Sequence, residues 1–222
     1  MRVSDWRWPF ADARRGDIDA HFARAQAEKP QMFNGPILLG RNPVFAGDTF
    51  SADYFHADFA SFLAWRDWGF PDRAVFNGFG AGALRSTDGC FALGEMGAHT
   101  ANAARLYFPA GTPDPDDIRG DRLDIAGSIV REVEEETGIG PADYRAAPEW
   151  DCVVSGALIA LIRVLDVDLT GEALRARIEA SIATQSHAEL AAVRLVRDAR
   201  DLTPAVPAYV RAYLEHIVPA AG

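Results

Sequence analysis

Arg131–Ile139 reads REVEEETGI, and four of its nine residues are glutamates. On a helix, Glu132, Glu135 and Glu136 stand at i, i+3 and i+4, on one face about one turn apart. Like-charged neighbours at this spacing cost an ordinary helix roughly 0.2–0.5 kcal/mol per pair. Thr137-Gly138 reads as the helix end, where the macrodipole also disfavours anions. A divalent cation would offset both effects, and hard carboxylate oxygens suit magnesium or manganese better than zinc. The blander alternative for such a run is a solvated helix face.

The flanking sequence supplies the elements that would position these carboxylates. Asp124 is a candidate N-cap, and Ile125, Ser128 or Ile129, and Val133 make an apolar stripe at helical intervals. Gly127 and Ser128 are small enough for the helix to approach a sheet closely. Gly138 suits the left-handed position past the helix end, and Pro141 blocks continuation. Upstream lies the turn FPAG, Phe108–Gly111. Before it, AVFNGFGAGALRSTDGCFALGEM predicts two strands joined by a turn at Ser86–Gly89. Gly78, Gly80 and Gly82 alternate along the first strand. Without a third glycine and a following helix they indicate close packing, not a dinucleotide fingerprint.

These residues resemble the Nudix hydrolase signature, G-x5-E-x7-R-E-U-x-E-E-x-G-U, with U a bulky aliphatic residue. Arg131, Glu132, Val133, Glu135, Glu136, Gly138 and Ile139 match its second half. The first half departs, because Leu123 stands where the first Glu belongs and Asp117 where the Gly belongs. Gly111 of FPAG resembles the family's PGG turn, with a six-residue insertion before the helix. That insertion is rich in Asp, so Asp121 and Asp124 are candidates to replace the missing Glu.

The resemblance implies an α/β/α sandwich around a mixed β-sheet. It also implies Mg2+- or Mn2+-dependent hydrolysis of the pyrophosphate bond of a nucleoside diphosphate linked to another moiety. Glu135 and Glu136 would be metal ligands, and Glu132 a ligand or the general base. Arg131 would orient a signature carboxylate through a salt bridge. Gly111 and Arg105 would face the substrate, as would His99. HAELAAVRLV, 187–196, resembles the late family segment in which an acidic residue precedes a strand. Glu189 is therefore a candidate further ligand or base, against the reading of an ordinary exposed glutamate. A sugar nucleotide is the favoured substrate class. Coenzyme A diphosphatase and a non-catalytic nucleotide-binding regulator are the alternatives.

The remainder of the chain predicts an N-terminal α+β elaboration, 1–72, packed on a hydrolase domain, 73–222, or contributing to a homodimer. Trp6, Trp8 and Phe10 precede a helix expected over 18–28. A strand is expected over 33–40, a turn through NPVFAGD, and an aromatic-striped helix over 57–67. The aromatics read as core, and His56 as a hydrogen-bonded structural histidine. One or two buried strands are expected over 150–167, then helices over 172–183 and 204–218.

With 49% hydrophobic and 24% charged residues the composition is that of a globular protein. Net charge is −10, with no basic stripe, so no nucleic-acid partner is expected. Cys90 and Cys152 form no disulfide or metal pattern and read as buried free thiols. Without an apolar span or lipidation signal, no membrane partner is expected, and the cytoplasm is the expected location.

Overall fold

The computed structural model describes residues 1–218. In chain order the first elements are β1 (Arg2–Ser4), α1 (Pro9–Ala13), α2 (Arg15–Glu28), β2 (Pro36–Ala46), β3 (Thr49–Asp58), α3 (Phe59–Asp67) and β4 (Val75–Arg85). Then come β5 (Phe91–Met96), β6 (Leu106–Tyr107), β7 (Ala110–Gly111), β8 (Ile118–Arg119) and β9 (Arg122–Leu123). The signature helix α4 (Ile125–Thr137) follows, then β10 (Tyr144–Ala146), β11 (Asp151–Ser155) and β12 (Leu158–Val167). Helix α5 (Gly171–Ile182), strand β13 (Leu190–Val196) and helix α6 (Ala208–Ile217) complete the described chain. The α/β class and mixed sheet expected from the sequence are what the chain adopts. Among the described residues no helix is long and apolar enough to cross a membrane.

The chain divides into two compact units. The first comprises Met1–Gly78, Thr112–Ile125 and Gly156–Ile159. Here β3 pairs antiparallel with β2 and parallel with β1, β1 pairs with β9, and β9 with β8. The expected turn at NPVFAGD is instead mostly strand: β2 runs to Ala46 through an irregularity between Arg41 and Val44. The reversal falls at Gly47, whose φ of 56° favours glycine. Trp8, Phe55, Phe62 and Trp65 are buried together, so the aromatic stripe is core. The Trp8 ring stands edge-on to Trp65 at 5.8 Å. Asp58 caps α3 by accepting from the Ser61 N–H at 2.9 Å. His56 departs from its expected structural role, being exposed with no hydrogen-bond partner for its ring among the described residues. It is exposed although Tyr54, on the same face of β3, is fully buried, so the cover over that face ends between the two positions.

The second unit comprises Phe79–Gly111, Ala126–Ser155 and Ala160–Gly222. Strand β5 lies between β6 and β13, and β12 pairs with β10 and β11. The turn between β4 and β5 holds Gly89 at φ 80°, as the STDG sequence predicts. The glycine alternation in β4 has a packing cause. A side chain at Gly82 would strike Val133 and approach Leu165 and Ile129 at 3.0 and 3.2 Å. The apolar stripe of α4 thus rests directly on the strand backbone. Ile129 and Val133 are fully enclosed there, each contributing about 1.5–3 kcal/mol by burial. Two expectations need correction. Strand β11 is largely solvent-facing, and Cys152 within it is exposed, whereas Cys90 is buried.

Candidate active site

Helix α4 presents its carboxylates because of how its apolar stripe is seated. With Ile129 and Val133 against β4, Glu132 and Glu136 flank that stripe, while Glu134 and Glu135 are exposed. The helix ends where the sequence places its end. Gly138 adopts φ 70°, and its N–H donates to the Glu134 carbonyl at 2.8 Å. The Gln185 amide donates to the Glu135 carbonyl at 2.9 Å, satisfying another terminal acceptor.

The FPAG turn meets this helix through β7. Strand β7 is held by β4 at Gly80↔Gly111 and Ala81↔Ala110, which fixes its backbone beside the carboxylates. The Ala110 N–H donates to Glu136 Oε1 at 3.1 Å. A Cβ on Gly111 would lie 2.6 Å from the Glu132 Cδ, so the glycine leaves the space the Glu132 carboxylate fills. Arg131 Nη1 pairs with Glu132 Oε1 at 2.9 Å and reaches Glu135 Oε2 at 3.4 Å. One guanidinium therefore spans two of the carboxylates.

Electrostatics at this place is dominated by crowding. Glu136 is only 7% exposed. Burial raises its pKa well above the usual carboxylate range, the charges of Glu189, Glu132 and Glu135 raise it further, and the Ala110 N–H opposes them. Glu189, immediately before β13, joins the group from outside the signature. Glu189 is exposed, as the ordinary reading expects, yet the protein around its carboxyl raises its pKa. The His99 charge lowers it, and the Glu135 charge raises it. Its backbone is fixed, since the Gly97 N–H donates to the Glu189 carbonyl at 2.8 Å.

Other candidates lie elsewhere. Arg105 donates to the Pro204 carbonyl at 3.2 Å, which ties it to the loop before α6. Asp121 sits in the β8–β9 turn and pairs with Arg2 at 3.4 Å. Asp124 directly precedes α4, and its N–H donates to the Asp117 carbonyl at 2.9 Å. Leu123, at the position of the first signature Glu, is buried. Two residues without a motif also belong to the neighbourhood. Tyr209 of α6 is buried, and its phenol is pushed up by burial, then by Tyr107 and Glu136. Its ring lies 6.3 Å from that of Tyr107. Only the apolar periodicity of 208–217 marks Tyr209 in the sequence, and that signals burial without naming a neighbour.

The donor set is chemically that of a hard divalent cation: carboxylates from α4, one of them, Glu136, nearly enclosed with its proton affinity raised by burial and by its neighbours. Among the described residues, no three His, Cys, Asp or Glu side chains are already drawn together as a metal-binding group.

No family model matches the chain, and no curated protein does. Solved structures do. The MutT protein from Methanosarcina mazei Go1 is 20% identical with a TM-score of 0.40, over 64% of this chain and 91% of that one. The Nudix hydrolase RenU from M. smegmatis is 15% identical with a TM-score of 0.39, over 67% and 93%. The E. coli ORF135 protein is 19% identical with a TM-score of 0.37, over 63% and 88%. This chain is similar to Nudix proteins of known structure. At such identities and scores the likeness carries no argument about activity, which has to rest on the residues of the site.

Proposed function

We propose that the chain is a Nudix-type pyrophosphohydrolase that cleaves a nucleoside diphosphate linked to another moiety, a sugar nucleotide being the favoured class. The observation that carries this reading is the setting of Glu132 and Glu136. Both flank the stripe seated on β4, with Glu132 filling the space over Gly111 and Glu136 accepting from the Ala110 N–H. That arrangement supports taking FPAG and the α4 glutamates as parts of one site.

Glu132, Glu135 and Glu136 would hold Mg2+ or Mn2+, which when bound offsets phosphate charge and acidifies water. The chain's own residues supply the rest. Arg131 steadies Glu132 and Glu135 together through its Nη1, a charge that its rigid guanidinium holds in place. The β7 backbone fixes Glu136. Glu189, whose pKa is raised by the protein around its carboxyl, is a candidate further ligand or base outside the helix. The buried Leu123 in place of the first signature Glu favours the second reading, a nucleotide-binding regulator without turnover. Glu189 supports the enzymatic one by restoring a carboxylate.

Phosphate release from ADP-ribose, UDP-glucose, NADH, coenzyme A and diadenosine polyphosphates, followed with a coupled phosphatase and Mg2+ or Mn2+, separates the two. Turnover of one substrate class, abolished in Glu135→Gln and Glu136→Gln, is expected. No turnover across the panel, with calorimetry still detecting nucleotide binding, would leave the regulator.

A further inference from the structure

We propose that the Tyr209 hydroxyl is a ligand-binding group of the site and donates its hydrogen to a phosphate oxygen of the nucleotide. This rests on the hydrolase reading in one respect only, that the phosphates lie at the carboxylates of α4.

Helix α6 turns two tyrosines onto the sheet, one helical turn apart, and their hydroxyls differ. Tyr209 is 5% exposed and Tyr213 3%. Each ring stands edge-on to a core phenylalanine, Tyr209 to Phe79 at 5.7 Å and Tyr213 to Phe108 at 5.8 Å. The Tyr213 hydroxyl is bonded, donating to Asp151 Oδ2 at 3.1 Å. The Tyr209 hydroxyl has no hydrogen-bond partner among the described residues. It is nevertheless not sealed in, as the unpartnered hydroxyls of Ser128 and Tyr144 are. Buried tyrosines normally satisfy this group. An open, unpartnered donor on an otherwise enclosed ring is placed to meet an acceptor from solution.

The ring is fixed where it stands. Besides Phe79 it meets the Tyr107 ring at 6.3 Å. The Leu106 N–H donates to the Ala205 carbonyl at 3.2 Å, which pins the approach to α6 against β6. Burial, then the charges of Tyr107 and Glu136, raise the pKa of the phenol, so at neutral pH it keeps its hydrogen. Glu136 is thus near enough for its charge to act on this oxygen. An acceptor that meets Tyr209 lies close to the carboxylate proposed to hold the cation that offsets phosphate charge. A phosphate oxygen suits that place, because hydrogen bonds to ionised acceptors are the stronger ones.

The test compares Tyr209→Phe with Tyr213→Phe in the full chain. Calorimetry in Mg2+ gives the affinities for inorganic pyrophosphate, ADP and adenosine, beside melting curves and the kcat and KM of any nucleotide turned over. Tyr209→Phe keeps the ring and removes only an unsatisfied hydroxyl, so it should melt at or above wild type. Its affinity for pyrophosphate and ADP, and its kcat/KM, should fall about 10–100-fold, the worth of one hydrogen bond to a charged group. Adenosine, which has no phosphate, should be unaffected. Tyr213→Phe should leave binding and turnover unchanged. Wild-type affinity for pyrophosphate in Tyr209→Phe would overturn the proposal. So would a loss confined to adenosine, which would give the hydroxyl to the base, and so would a wild type that binds neither pyrophosphate nor ADP. Pyrophosphate binding weakened in Tyr209→Phe, without turnover of any nucleotide, would defeat the hydrolase reading alone and leave the phosphate contact standing.

Discussion

The carboxylate of Glu132 occupies the space that a side chain on Gly111 would take, its Cδ lying 2.6 Å from where that Cβ would stand. Gly111 has no positive φ, so alanine strains nothing in the backbone there, and its only cost is the displacement of a flexible carboxylate. Gly111→Ala should therefore leave the melting temperature within about 2 °C of wild type, since a shift of ~2–4 °C corresponds to 1 kcal/mol at this size. Turnover of the cognate substrate should fall roughly 100-fold, the effect of moving a reacting group by about 1 Å. Equal activity in the two proteins would show that Glu132 does not act from this position.

Arg131 contacts Glu132 and Glu135 with the same Nη1 atom. Lysine retains the charge but not the rigid, directional guanidinium N–H geometry through which Nη1 meets both carboxylates. Groups that orient ligands in this way are worth about 10–100-fold in metal affinity or activity. In Arg131→Lys the Mg2+ concentration giving half-maximal turnover should rise by that factor, with less change in turnover at saturating metal. A metal-independent loss would assign Arg131 to the substrate instead.

Much of this site was legible because its chemistry is local. The spacing of Glu132, Glu135 and Glu136 needs only a helix, and the Ile125, Ile129 and Val133 stripe with Gly138 defines that helix within thirteen residues. FPAG was identifiable as a turn, but its contact with Glu132 depends on β7 pairing with β4 about thirty residues earlier. Glu189 and Tyr209 come from still further along the chain. A single glutamate before a strand and a tyrosine in an amphipathic helix have many ordinary explanations, and only tertiary packing selects among them. His56 shows the converse. Its aromatic surroundings suggest a satisfied histidine, but the cover over its face of β3 stops at Tyr54 and leaves it exposed. Cys152 was misjudged for the same reason, since an apolar run does not reveal which of its strands lies at an exposed position.

The raised pKa of Glu136 makes stability depend on pH in a definite direction. Burial is the main cause, followed by the charges of Glu189, Glu132 and Glu135. A group whose folded pKa exceeds its unfolded value of about 4.3 adds stability below that value. The contribution is lost as pH rises through the folded pKa. At about pH 7.5 in chelator, above the unfolded pKa, the buried carboxyl is thus a liability, and glutamine cannot ionise while keeping an acceptor for the Ala110 N–H. Glu136→Gln should melt several degrees above wild type under those conditions, with the difference gone by about pH 4. Added Mg2+ should raise the wild type and leave the variant nearly unmoved. A variant less stable than wild type at neutral pH would mean that Glu136 is already compensated in the metal-free protein.

Gly82 tests whether the helix is positioned by close contact with the strand. A methyl group there would overlap Val133 and press on Leu165 and Ile129, and overpacking of this kind costs about 1–3 kcal/mol. Gly82→Ala should lower the melting temperature by roughly 2–12 °C and weaken turnover, because α4 must move away from β4 and carry Glu132 and Glu136 with it. Combining it with Val133→Ala opens the space the methyl needs. The two substitutions should then be less destabilising together than the sum of their separate effects, by about 0.5–3 kcal/mol. Strict additivity in denaturant titrations would place the added methyl somewhere other than against Val133. Partial recovery of turnover in the double variant would tie the seating of α4 on β4 to the chemistry its carboxylates perform.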